Sequence, residues 1–336
     1  MHASDSAALP RAASVPAPGA VTGAVAAGQD VTVRVPATSA NLGPGFDSLG
    51  LAVGLYDTVR VRTSAQPGTT VRITGEGAGT LPTDDTHLVV RTIRETVESA
   101  GFSLPGLQLD AENVIPHGRG LGSSASAIVS GVLAGNALLP REHRLDAAAL
   151  LDLCSRLEGH PDNVAPALAG GLAISWEEEG IFRSVSAPVH GDIIPVAAVP
   201  ATELSTESAR GLLPAQVPHP AAAANSGRAA LLIHALAAEP SLLPAGTVDF
   251  LHQDYRASAM EPSAALMRHL REHGIAAVIS GAGPTVMALA NGEDQAQRAE
   301  HLIGRHLADA KTAHLWRVLR LSVDRDGARV EEHQRY

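Results

Sequence analysis

Between Ile115 and Ser126 the chain reads Ile-Pro-His-Gly-Arg-Gly-Leu-Gly-Ser-Ser-Ala-Ser, and an apolar run from Ala127 to Leu139 follows at once. Gly118, Gly120 and Gly122 alternate, so the backbone can take positive φ and a ligand can approach it without meeting a Cβ. Ser123 and Ser124 stand where a helix should begin, since serine is a good N-cap and a long apolar segment follows. That helix should end at or before Leu139, because Pro140 disfavours helical backbone in the residue before it. A glycine loop opening onto a helix N-terminus offers unpaired N–H groups and the positive end of the dipole, which together bind anions. The natural anion is a nucleotide phosphate, with a serine hydroxyl in reach of its Mg²⁺. Without a ligand the same residues would make only a tight strand-to-helix turn. A second concentration follows at Glu158-Gly-His-Pro-Asp-Asn163. Its apolar flanks place Glu158, His160, Asp162 and Asn163 partly inside, where unpaired carboxylates are costly, so the cluster reads as a site rather than a solvated turn.

The common nucleotide loops do not fit: there is no G-x-x-x-x-G-K-[ST], and the spacing is not G-x-G-x-x-G. Lys311 is the one lysine of the chain, far from any glycine loop in sequence. Phosphate binding therefore rests on backbone amides, the helix dipole and a metal. Asn41 and Asp47 are the polar side chains with reach in a glycine- and proline-rich loop at 36–50. Arg210 and Arg256 add cations further on, either of which alone would more often be a surface residue. His269 and His273 have an i, i+4 spacing that could bind metal, but no HExxH pattern or third ligand accompanies them. Cys154, the single cysteine, excludes an internal disulfide and reads as a buried helical thiol.

Several elements must hold these groups. Asp30–Val35 alternates as a strand does, and 51–62, 70–74, 106–115, 170–176, 193–199 and 315–323 also read as strands. Helical spacing covers 87–98, 146–157, 226–236, 261–273 and 294–307. The stretch 275–289 reads strand, glycine turn, strand, the turn lying against a ligand or the first glycine loop. Residues 1–29 read as a disordered leader, 30–190 as a first domain carrying the glycine loop, 191–325 as a second domain, and 326–336 as a tail.

With 336 residues and 45% hydrophobic content, the chain can bury the cores of two domains. A net charge of −10 and the lack of a basic block argue against nucleic acid as the main partner. No apolar run is long enough to span a bilayer, and the leader is a poor signal peptide, which together point to the cytoplasm.

Three motifs now stand in order, Pro36–Gly50, Pro116–Ala125 and Ser280–Thr285, and their arrangement resembles the GHMP small-molecule kinases from about residue 30 to the end. The middle one, P-x-G-x-G-L-G-S-S-A, is the most specific. Ser39–Asp47, Glu158–Asn163, Ala209–Pro214 and Gln253–Arg256 are similar to the homoserine kinase family within that superfamily. The resemblance implies an α+β fold of two domains, the N-terminal ribosomal-protein-S5-like and the C-terminal ferredoxin-like. It implies phosphorylation of the L-homoserine hydroxyl by ATP in a homodimer. It places ATP along Pro116, His117, Gly118, Arg119, Gly120, Leu121, Gly122, Ser123 and Ser124, and Mg²⁺ on Glu158 and Ser124. Asn41, Asp47, His160, Arg210, Arg256 and Gly283 would line the homoserine site. His87 stands where relatives carry an adenine-side Asn. Mevalonate-type relatives use an aspartate as base and Asp162 lies in the comparable segment, whereas homoserine kinases are thought to need none; that point stays open. The residue chemistry agrees with a zwitterion: paired arginines suit a carboxylate, and Asp47 with Asn41 suits an ammonium. Another GHMP kinase, or a GHMP-fold sensor without catalysis, are the alternatives.

Overall fold

The computed structural model describes residues 21 and 23–333. Most of the expected leader thus lies outside the described residues. In chain order the first part contains β1 (Gly23–Ala24), β2 (Asp30–Ala40), β3 (Leu49–Ser64), β4 (Gly68–Gly75), α1 (Leu88–Ser99), β5 (Phe102–Ser103), β6 (Gly106–Asn113), α2 (Ser123–Leu138), α3 (Ala147–Glu158), α4 (Val164–Ala169), β7 (Leu172–Glu178) and β8 (Ile181–Ala187). The second part contains β9 (Ile193–Pro200), α5 (Thr206–Arg210), α6 (His219–Ala237), α7 (Leu243–Gly246), α8 (Gln253–Arg256), α9 (Glu261–Glu272), β10 (Ala277–Ile279), β11 (Val286–Asn291), α10 (Glu293–Asp309), β12 (Trp316–Arg320) and β13 (Arg329–Glu332).

One sheet runs β13-β2-β3-β6-β4, with β7 on the other end of β3 and β8 on β7. Only the β4–β6 pair in it is parallel, and α1 makes the crossover between those strands. The apolar faces of α1, α2 and α3 pack on this sheet around Val33, Val61, Ile93, Leu109, Val129 and Val132. Helix α2 is buried on nearly every side. Glycines let α1 lie close against it: a Cβ on Gly131 or Gly135 would meet Thr92 or Thr96 of α1 at 2.7 or 2.8 Å. A second sheet, β10-β11-β9-β12, is covered by α9 and α10 around Leu266, Leu270, Ile279 and Ile303. Between the sheets a third core joins Leu42, Leu51, Ile115 and Leu121 to Val199, Leu232, Val278 and Met287, so the cleft walls are fixed to each other by apolar packing.

Several boundaries differ from the sequence reading. Residues 36–40 continue β2 past a register shift at Pro36/Ala37 rather than opening a loop. Helix α4 and strand β8 follow the polar cluster where only a strand at 170–176 is expected. Residues 329–332 are not a tail: they pair antiparallel with Val31–Arg34 of β2. Gly23–Ala24, assigned to the leader, pair with Phe102–Ser103.

Cys154 is fully buried on α3, and burial pushes its thiol far above the ordinary range. A thiol-reactive dye should therefore label nothing in the native protein and one thiol per chain in guanidinium. Rapid native labelling would show that α3 opens.

Candidate functional site

The three glycine-bearing motifs meet at the junction of the two sheets. Gly118, Gly120 and Gly122 all have positive φ, at 64°, 76° and 73°. Gly122 occupies the N-cap of α2 in left-handed conformation and no side chain caps the helix. Ser123 and Ser124 are thus in the first turn rather than capping it, which leaves their hydroxyls for other partners. A Cβ on Gly122 would strike Thr38 Oγ1 at 2.1 Å, and that hydroxyl donates to Asn163 Oδ1 at 2.7 Å. A Cβ on Gly120 would strike the Ser280 carbonyl at 2.2 Å. Ser280 Oγ in turn lies 2.6 Å from the Gly120 carbonyl and 2.8 Å from Ser39 Oγ. The turn at 280–285 therefore lies against the first glycine loop, and Gly281 and Gly283 also line the cleft.

Gly120→Ala forces both a disfavoured φ and a backbone clash, at a cost of roughly 3 kcal/mol or more. The expected result is a clear fall in the thermal midpoint together with lost nucleotide binding, measured by calorimetry and titration.

Two cavities flank the start of α2. One, of about 130 Å³, is lined by Asn41, Asp47, Glu158, His160, Arg210 and Arg256 together with the glycine loops. The other, of about 280 Å³, is lined by Asp57, His87, His117, Ser126 and Ser130. Ser123 and Ser124 belong to both. A ligand with a flat head, a polyanionic middle and a small polar acceptor beyond it matches this succession.

In the first cavity Ser124 Oγ donates to Glu158 Oε2 at 2.8 Å. Burial raises the Glu158 pKa, and none of the ion pairs among the described residues involves it. Two hard oxygens, one of them a carboxylate's, beside the phosphate-binding start of α2 fit Mg²⁺, which would complete its shell with phosphate oxygens and water. His160 Nδ1 lies 2.6 Å from Asp162 Oδ1. Burial lowers the His160 pKa, and the Asp162 hydrogen bond together with the charges of Asp162 and Glu158 more than offset this, so the net direction is up. Asp162 is only 2% exposed and committed to His160.

Asp47, held at a φ of 55°, and Arg210 form a bidentate pair at 2.6 and 2.9 Å. The two side chains expected at opposite ends of a zwitterion thus hold each other. Asn41 spends its amide on structure: Nδ2 donates to the Gly281 carbonyl at 3.0 Å, and Oδ1 accepts from the Asp47 N–H at 2.9 Å. Arg256 is 2% exposed, and none of the ion pairs among the described residues involves it. Burial, then Arg210, lowers its pKa. Both arginines sit over the Phe46 ring, at 5.5 Å for Arg210 and 5.3 Å for Arg256.

In the second cavity His87 Nδ1 and Ser130 Oγ are buried without a hydrogen-bond partner. Burial, then His117, lowers the His87 pKa, so the ring is neutral and its free nitrogen suits a heterocyclic base. Asp57 accepts from the Val114 and Ile115 N–H groups and from Ser126, fixing the entry to the glycine loop.

At three of the expected loop positions the side chain is engaged elsewhere or buried. The Arg119 guanidinium donates to the carbonyls of His117, Pro200 and Ala201 and to Glu203, tying the loop to the second domain rather than facing a phosphate. Leu121 is fully buried, and Pro116 is buried and has no N–H. Arg119 and Leu121 can serve a ligand through backbone alone. Sequence reasoning missed Thr38, Phe46, Asp57 and Ser130. Each is an ordinary residue in a strand, loop or helix, and only its neighbours in space reveal it.

Residues 87–171 match the family profile of the GHMP kinases N terminal domain, and 222–309 that of the GHMP kinases C terminal domain. The chain is 53% identical over 301 residues to a homoserine kinase of Streptomyces coelicolor, covering 89% of this chain and 94% of that one. It is 51% identical over 303 residues to one of Leifsonia xyli, covering 90% and 92%. The crystal structure of a Cytophaga hutchinsonii homoserine kinase, 29% identical, superposes with a TM-score of 0.80 over 90% of this chain and 97% of that one.

Proposed function

This chain belongs to the GHMP kinases and, within them, to the homoserine kinases, and on that premise we propose how its two cavities divide the work. The reaction is ATP-dependent phosphorylation of homoserine, a step of threonine biosynthesis, on the two-domain α+β GHMP kinase fold. In our assignment the base lies against His87 and Ser130, the phosphates cross the first turn of α2, and homoserine lies beside Arg256. Supporting this is the continuity of the cavities through Ser123 and Ser124, with a buried, unpaired guanidinium at the far end.

The Asp47–Arg210 pair explains why a zwitterion fits. A substrate carboxylate can replace Asp47 on Arg210 while reaching Arg256, and a substrate ammonium can replace Arg210 on Asp47. Each charge exchanges one partner for another, so none is left bare in the cleft. A sugar or an isoprenoid acid supplies only part of that exchange. Asn41 acts by holding the Asp47 backbone in place.

Phosphoryl transfer needs alignment and charge neutralisation more than covalent help. Backbone N–H groups of the glycine loop and the α2 dipole hold the phosphates. Glu158 and Ser124 would hold Mg²⁺, which supplies neutralisation of charge on the transferring group. We assign Asp162 to orienting His160 rather than to taking a proton itself. We also propose a cytoplasmic enzyme; among the described residues no helix is long and apolar enough to cross a membrane. A homodimer is the proposed assembly, checked by light scattering.

The decisive assay is coupled ADP release with MgATP against L-homoserine, L-serine, L-threonine, mevalonate and galactose. Strong preference for L-homoserine is the expected result. Turnover on mevalonate or galactose instead would overturn the acceptor assignment, and ATP binding with no turnover would indicate a sensor.

A further inference from the structure

We infer that His252 is a positioning residue for the acceptor's carboxylate, its Nδ1 fixing the orientation of the Arg256 guanidinium. This rests on the reading above that Arg256 receives that carboxylate. His252 is 0% exposed and does not line the cleft. Its Nε2 lies 2.7 Å from the Gly43 carbonyl, and its Nδ1 lies 3.3 Å from a terminal nitrogen of Arg256. A carbonyl can only accept, so the proton sits on Nε2. The bare Nδ1 of the neutral ring then accepts from the guanidinium. Burial lowers the His252 pKa, consistent with a neutral ring.

The surroundings leave little freedom for this bridge. Asp249 Oδ2 accepts from the His252 and Gln253 N–H groups at 3.0 and 2.7 Å, and Oδ1 accepts from Leu251 N–H at 2.9 Å. The imidazole packs on Phe46 with ring centres 5.2 Å apart, the same ring that lies beneath both guanidiniums. Arg256 Nε donates to the Ala209 carbonyl, one residue before Arg210. One imidazole therefore connects β2's outgoing loop, α8 and, through Arg256, the end of α5. A long, rotatable side chain is reduced to one orientation, which is what a bidentate clamp on a carboxylate requires.

A histidine that merely fills the core would affect every ligand alike, and this separates the two roles. In His252→Gln the amide reaches the position of Nε2 and keeps the Gly43 contact but loses the acceptor facing Arg256. In His252→Asn the amide overlays Nδ1 and keeps that acceptor but is too short to reach the Gly43 carbonyl. The Gln variant should raise KM for homoserine about tenfold, the worth of one hydrogen bond to a charged group. Its KM for ATP should stay unchanged. The Asn variant should remain within about threefold of the parent on both substrates, well under one such bond. Placed on Arg256→Leu, the Gln change should add almost nothing, because the group it acts through is gone.

The inference is overturned by parallel rises in both KM values, by the reverse order of the two variants, or by a full further loss on Arg256→Leu. If His252→Gln does not fold, the Asn variant decides: a homoserine KM raised as far as in Arg256→Leu overturns the role. Activity of the parent on homoserine is read in the same assay. A failed substrate assignment is thereby distinguished from a failed role for His252.

Discussion

Glu158→Gln is expected to lower kcat by about a thousandfold, because a metal on transferring phosphate is worth several kcal/mol of barrier. Stopped-flow or coupled-assay kinetics at saturating MgATP and homoserine would measure it. The change is nearly isosteric and keeps an oxygen for the Ser124 hydroxyl, so loss of geometry is not the cause. What goes is a buried negative charge that forms no ion pair among the described residues and is offset only by the nearby His160. The thermal midpoint should not fall, since burial already opposes the charged form of Glu158 and removing that charge relieves the fold. Loss of activity with stability kept separates a functional carboxylate from a structural one. Full turnover by the Gln variant would remove Glu158 from the metal site.

Arg256→Leu should reduce kcat/KM for homoserine by about a thousandfold, on the scale of truncating one partner of a buried charge pair. KM for ATP should barely move, because Arg256 does not line the cavity around His87 that is assigned to the base. The fold should survive, since a buried guanidinium that forms no ion pair among the described residues contributes little stability by itself. Arg256→Lys is a sharper control: it keeps the charge but not the planar fork, and most of the loss should remain. Asp47→Ala should weaken homoserine too, yet for a different reason, since it also frees Arg210 from its bidentate partner. Equal losses for ATP and homoserine in Arg256→Leu would show that the residue supports the cleft as a whole.

Much of the architecture could be read from the residues. Helices α1, α9 and α10 have apolar residues at helical spacing; α1 buries that stripe largely against α2, and α9 and α10 bury theirs against a sheet. The alternation of three glycines before two serines is a local demand for positive φ beside a helix start, and local demands survive without an alignment. The density of Glu158, His160, Asp162 and Asn163 marked the second half of the site for the same reason.

The rest was decided by contacts between segments far apart in sequence. Serine at the start of α2 has the chemistry of a cap, but Gly122 takes that place because Thr38 and Asn163 leave no room for a side chain there. Arg119 lies inside the glycine motif, yet its guanidinium is drawn off by carbonyls at the end of β9. Residues 329–332 carry no strong strand signal and become a strand because β2 offers a free edge at that point. Charge partners were equally beyond local reading: nothing in the sequence says that Asp47 meets Arg210 across 163 positions or that Arg256 forms no ion pair among the described residues. Composition and spacing determined that a phosphate loop, a carboxylate cluster and two arginines exist. Tertiary structure alone decided which charges are already satisfied and which await a ligand, because burial and partner geometry set the cost of leaving each one bare.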